Sequence, residues 1–264
     1  MIYLLLILCA PYAASQTHRI VVLAPDIARN LIDLGAEDSI VGIIKNDELE
    51  AKIPWARVVG DHQQLSIEAI FALNPDYVIV WQGGNPEPQI QKMRTLGLNI
   101  VRISTTRLAD LPAQWRTLGQ LLGKEQRAEQ LGLEFMAQLQ RLEATQEKPV
   151  RLFYQLWHQP LMSVSNTSWL SEVFTLCGAE NVMADAAGSF PQIGIEAVLA
   201  ADVEVIIASD ELSSDWKDRW RKWPQVPAVS QNHLYTVGAD YLHQLTGETL
   251  KGVLQVCEAV ARAR

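Results

Sequence analysis

The chain has 264 residues, 48% of them hydrophobic and 20% charged, enough for a soluble protein of one or two domains. Its net charge is -8 and its basic residues form no run, which argues against nucleic acid and anionic membrane surfaces as partners.

The apolar run Leu4 to Ala10, followed by small residues at Ala13 and Ser15, reads as a signal peptide over residues 1–15. It is too short to span a bilayer, which takes ~20 apolar residues, so no membrane insertion is expected once it is removed. Two details qualify this reading. Met1-Ile2-Tyr3 carries no Lys or Arg, which leaves open a start upstream, and Leu8 before Cys9 argues against a lipoprotein signal. Cleavage would leave Cys177 and Cys257. In an exported chain an even pair suggests a disulfide, with two buried free thiols as the alternative.

From Arg19 the chain alternates short β-branched runs with helical stretches. Strands are predicted at Arg19–Leu23, Ile40–Ile44, Tyr77–Trp81 and Asn99–Ile103, and helices at Asp26–Leu34, Ser66–Leu73, Pro88–Leu96 and Leu108–Leu122. This rhythm predicts an α/β lobe with a mainly parallel sheet over residues 16–124. Next, Ala128, Leu131, Phe135, Leu139 and Leu142 fall on one helical face, and Pro149 ends the pattern. A connecting helix over 125–148 follows, with Glu125 to Glu147 about 35 Å long at ~1.5 Å per residue. That length suits a spacer between lobes.

The alternation then resumes in a second lobe, 149–264. Strands are predicted at Val150–Leu156, Val203–Ala208 and His233–Val237, and helices at Ser168–Cys177, Ile195–Ala201, Ser214–Lys222 and Gly247–Ala261. The halves echo each other. Ile67-Glu68-Ala69-Ile70 returns as Ile195-Glu196-Ala197-Val198, and Gly35-Ala36-Glu37 as Gly178-Ala179-Glu180. A repeat of so long a period implies two similar Rossmann-like lobes with a ligand cleft between them.

Several chemical motifs fail. Gly119 to Lys124 resembles a phosphate loop, but it is one residue short between its glycines and has Glu125 where Ser or Thr is required. No G-x-S-x-G, H-E-x-x-H or C-x-x-C occurs, so no nucleophile elbow or local zinc site is expected.

Ligands of parallel α/β sheets bind beyond the carboxyl ends of the strands. Pro25, Asn46, His62 and Trp81 occupy such places in the first lobe, and Phe190, Asp240 and Tyr241 comparable ones in the second. Trp81-Gln82-Gly83-Gly84-Asn85 is the sharpest candidate, with an indole wall beside glycines that admit close approach. The alternative is an indole buried beside an ordinary turn. Residues like Phe190 and Tyr241 are more often core aromatics than ligand walls, and a lone histidine such as His62 is more often a polar loop residue. Glu68 and Glu196 each fall in the first turn of a helix, where the helix dipole favours a carboxylate. Two carboxylates at matching places would also suit a two-lobed basic partner.

These residues resemble a known family. Leu65 through Ile70 with Asn74 through Asn85, Glu172-Val173, Cys177 through Asn181, and Pro191 through Ile193 with Glu196 through Ala200 are similar to periplasmic substrate-binding proteins with two α/β lobes and one rigid connecting helix. Within that class they most resemble the BtuF-type cobalamin-binding branch. The likeness covers residues 19–263.

The resemblance implies a non-catalytic periplasmic protein, acting as a monomer. It would capture cobalamin as cargo, hold no cofactor of its own, and deliver the cargo to the permease subunits of an ABC importer. It also implies that Glu68 and Glu196 meet permease arginines, that Trp81 lines the corrin cleft, that Cys177 and Cys257 form the disulfide, and that Phe190 and Asp240-Tyr241 contact ligand. The chain departs from the family at Asn46, where a cleft Tyr is usual, at His62, where a Trp is usual, and at Leu161, where a Phe is usual. His62 could offer a nitrogen to cobalt. Haem or a ferric siderophore is the alternative cargo, with a metal-ion receptor or an enzyme further behind.

Overall fold

The computed structural model describes residues 18–82, 84–142 and 148–264. The expected signal peptide with Cys9, and residues 143–147 of the expected connecting helix, lie outside them. No described helix is long and apolar enough to cross a membrane.

The first lobe runs β1 (Ile20–Val22), α1 (Pro25–Asp33), β2 (Ile40–Ile43), α2 (Asp47–Lys52), β3 (Arg57–Val58), α3 (Ile67–Ala72), β4 (Tyr77–Trp81), α4 (Glu87–Thr95), β5 (Ile100–Ile103) and α5 (Leu111–Leu122). Helix α6 (Glu125–Arg141) leads on to the second lobe. That lobe comprises β6 (Val150–Gln155), β7 (Trp157–His158), β8 (Leu161–Met162), α7 (Leu170–Leu176), β9 (Ala179–Asn181), α8 (Ile195–Leu199), β10 (Val205–Ser209), α9 (Trp216–Trp220), α10 (Pro227–Ser230), β11 (Leu234–Val237), α11 (Ala239–Leu242) and α12 (Thr249–Arg262).

Both main sheets are parallel. The first has the order β3-β2-β1-β4-β5 and the second β11-β10-β6-β9. Read from its other edge, β9-β6-β10-β11 repeats β2-β1-β4-β5, so the two lobes share one strand order. The repeated glycines repeat a role as well. Gly35 and Gly178 have φ of 66° and 73°, and each turns the chain out of a helix in the left-handed conformation that glycine adopts at little cost.

Local chemistry explains several boundaries. Pro25 opens α1, where its missing N–H removes no helical bond. Ser66 accepts a bond from the Ala69 N–H at 3.2 Å and so caps α3. Helix α2, which was not predicted, is six residues long and is started by Asn46, whose side chain accepts from the Leu49 N–H at 3.0 Å. Six residues bury little apolar surface, so the periodicity carries no signal.

The connecting helix corrects the sequence reading in two ways. It ends at Arg141, capped by Leu142. It is also no free spacer, because it lies along α5 and touches α12. A single apolar cluster therefore continues from the first lobe through Trp115 and Phe135 into Val150, Leu152 and Val256. The phosphate-loop look-alike is the corner of this packing. Gly123 is left-handed at φ 65°, and a Cβ on Gly119 would come within 2.7 Å of the Ala128 Cβ.

Asn30 ties the two lobes together. Fully buried, it accepts from the Trp115 indole N–H at 2.9 Å and donates to the Leu245 carbonyl at 2.9 Å. Asn30→Ala leaves two buried groups without their partner and is expected to cost about 2–4 kcal/mol. Chemical denaturation checks this, and an unchanged midpoint would show that water or repacking replaces the amide.

Candidate functional site

A cavity opens between the lobes, beyond the carboxyl ends of β1 and β4, with about 1240 Å³ free of protein atoms, open solvent at its mouth included. Leu23, Pro25 and Asp26 form its floor at the start of α1, and Ile44 and His62 close one side. Trp81, Gln82 and Asn85 come from the end of β4, and Thr105 and Thr106 follow β5. The second lobe contributes Thr167, Ser168, Trp169, Ser189 and Phe190, and then His243, Gln244 and Leu245.

Trp81 and Phe190, one from each lobe, are 43% and 53% exposed, so both rings are open to a ligand rather than buried in a core. The turn after β4 fixes Trp81. Asn85 accepts from the Trp81 N–H at 2.7 Å and donates to the Leu23 carbonyl at 2.8 Å, which joins the ends of β4 and β1. Gly84 leaves the indole its place: a Cβ there would lie 1.7 Å from Trp81 Cε3. Gly83 lies outside the described residues.

His62 stands at the tip of a short loop. The Asp61 carboxylate accepts from the N–H groups of Gln63 and Gln64 at 2.8 and 2.9 Å, and these bonds hold its carboxyl below the usual range. Gly60, at φ 140°, lets the loop close on Leu65, because a Cβ would meet the Gln64 carbonyl oxygen at 2.3 Å. Neither nitrogen of His62 has a hydrogen-bond partner among the described residues.

His243 is different. Its Nε2 lies 2.9 Å from the Tyr154 hydroxyl and its Nδ1 3.0 Å from a Glu211 carboxylate oxygen. Tyr154 is fully buried, and burial pushes its phenol far above the usual range, so it stays protonated and donates to Nε2. The Nδ1 proton then points at Glu211, which fixes the tautomer and occupies both ring nitrogens.

Among the described residues the lining contains no Lys or Arg, and its one carboxylate is Asp26. Burial raises the Asp26 pKa, opposed by backbone N–H bonds of Ile27 and Asp26 itself and by the charge of Arg29. The other polar side chains lining the cavity, among the described residues, are amides, hydroxyls, imidazoles and indoles. Among the described residues no group of three His, Cys, Asp or Glu side chains could hold a metal ion.

Of the residues chosen from sequence, Pro25, His62, Trp81 and Phe190 line the cavity. Asn46 does not: it caps α2, and its N–H donates to Glu50 at 3.2 Å. Asp240 and Tyr241 also lie outside it. They border a separate polar pocket with Arg29 and Glu48, where the Asp240 carboxylate sits 3.3 Å from Arg29. The short helix α11 carries them away, so the next turn, His243 to Leu245, faces the cavity instead. Leu161 packs in the second-lobe core.

The sequence reading missed Thr105, Thr106, Trp169, His243 and Gln244. The two threonines follow a predicted strand and were findable by the strand-end rule. Trp169 precedes a helix and offered no such signal.

Glu68 and Glu196 are both exposed. Each stands in the first turn of a helix, α3 or α8, that enters a central parallel strand, and each is six residues beyond a cavity residue, His62 and Phe190 respectively. Both therefore sit at the cleft end of their lobe. Cys177 and Cys257 form a disulfide with S–S 2.01 Å, which ties the end of α7 to α12.

Residues 20–241 match the model of the family described as periplasmic binding protein. Over 252 residues the chain is 31% identical to the vitamin B12-binding protein of Vibrio campbellii, covering 94% of this chain and 91% of the relative. Its structure resembles the crystal structure of the periplasmic vitamin B12 binding protein BtuF of Vibrio cholerae, with TM-score 0.84, 31% identity, and coverage of 93% and 97% of the two chains. It also resembles the periplasmic heme-binding protein BhuT in complex with two hemes, with TM-score 0.82 and coverage of 93% and 98%, but at 18% identity that likeness is one of fold alone.

Proposed function

This chain belongs to the periplasmic binding protein family, and we propose that it captures cobalamin in the periplasm and hands it to an ABC import permease. It works as a monomeric receptor after removal of its signal peptide. It performs no catalysis and keeps no cofactor, so cobalamin is cargo.

The observation that carries this reading is the cavity's combination of two exposed aromatic rings, one from each lobe, with no Lys or Arg among the described lining residues. A corrin is broad and flat, which suits Trp81 and Phe190. Its periphery carries neutral carboxamides, which match Gln82, Asn85, Thr105, Thr106, Ser189 and Gln244. Haem propionates or an anionic ferric siderophore would bring negative charge beside Asp26 with no Lys or Arg among the described lining residues to pair with it, and burying an unpaired anion is costly.

Isothermal titration with cyanocobalamin tests the reading. A Kd tighter than ~10 µM, or about 7 kcal/mol of binding free energy, is expected. No heat at that concentration, or tighter binding of haem in a parallel titration, would overturn the choice of cargo.

The exposed pair Glu68 and Glu196 serves as a two-point grip for arginines of the permease. Reversing both to Lys is expected to reduce cobalamin uptake at least about tenfold in cells that depend on this protein, because like charges replace opposite ones at the contact. The affinity for cyanocobalamin should stay within about threefold, since neither residue lines the cavity. Normal uptake by the double variant would remove the docking role.

A further inference from the structure

We propose that His62 binds the cobalt of the corrinoid directly, so that the receptor prefers cobalamins whose upper axial ligand can leave. The inference deepens the cobalamin reading and rests on it.

Two imidazoles line the cavity, and their surroundings separate them. His243 has both nitrogens engaged, by Tyr154 at 2.9 Å and by Glu211 at 3.0 Å, so it cannot offer a lone pair without breaking a buried bond. His62 is exposed to the cleft and has no hydrogen-bond partner among the described residues. Its loop is nevertheless fixed, by the Asp61 carboxylate bonds to Gln63 and Gln64 and by the closure at Gly60 and Leu65. A free nitrogen donor on a held loop at the wall of a flat-ligand cavity is the arrangement that metal ligation requires, and imidazole is a common ligand of such metals.

The step is a ligand exchange at Co(III). With aquocobalamin the Co–O bond to water breaks and a Co–N bond forms from the imidazole lone pair. Water leaves, no proton moves, and the metal keeps its oxidation state. Cyanide is a stronger ligand than water and is not displaced by imidazole, so cyanocobalamin should bind without exchange.

The test titrates the full chain and the His62→Ala variant with aquocobalamin and with cyanocobalamin, reading the visible spectrum and the affinity. The native chain should shift the bands of aquocobalamin but not those of cyanocobalamin, and favour the former about tenfold or more. His62→Ala should lose both the shift and the preference. If aquocobalamin binds with unchanged bands, or if the shift survives in His62→Ala, the coordination is wrong while the cobalamin reading stands. If neither cobalamin binds, both fall.

Discussion

Replacing Trp81 by alanine is expected to weaken cyanocobalamin binding by about 2–3 kcal/mol, or roughly 30- to 150-fold. The indole is the largest side chain lining the first-lobe wall, and it is held rather than free, because Asn85 grips its backbone and Gly84 leaves room for its ring. A pre-placed aromatic loses little freedom on binding, so most of its contact area becomes affinity. Trp81→Phe should retain most of the binding. Gly84→Ala should reproduce part of the loss, because its Cβ would occupy the place of the ring. Titration of folded variants, matched by circular dichroism, reads this out. A Trp81→Ala protein that binds within threefold of the parent would mean that the cargo does not lie on that wall.

Removing the Cys177–Cys257 bridge is expected to have the largest effect on stability. The cysteines are 80 residues apart in sequence, and in the chain-entropy model closing a loop of that size stabilises by roughly 4–5 kcal/mol. The cross-link sits where α7 meets α12, under the sheet that carries the second-lobe half of the cleft. For a chain of this size the loss corresponds to a fall of roughly 10–20 °C in melting temperature. The Cys177→Ala, Cys257→Ala double variant and dithiothreitol-treated protein should fall together. A melting temperature unmoved by either would show that the apolar packing of α7 on α12 already supplies the constraint.

The sequence alone determined the two-lobe α/β plan. Alternating apolar runs specify strands and helices locally, and the echoed Ile-Glu-Ala and Gly-Ala-Glu segments fall at equivalent points of two sheets with one strand order. It also pointed to Trp81, His62 and Phe190, which line the cavity, and to Glu68 and Glu196, which are exposed, because strand ends and helix starts are readable from local pattern.

Only the tertiary structure decided the rest. Asn46 reads like a cleft residue, yet its amide completes the first turn of a helix too short to show periodicity. Asp240 and Tyr241 border the neighbouring polar pocket instead, because one short turn, α11, sets which residues line the cavity. The connecting helix became a shared wall, not a spacer, because an apolar stripe says that a helix is buried but not against what. The two cavity histidines are alike in sequence and opposite in chemistry. Tyr154 and Glu211, 89 and 32 residues away from His243, occupy one imidazole and leave the other free. Periodicity acts between near neighbours, whereas partners and charge compensation depend on what the fold brings together.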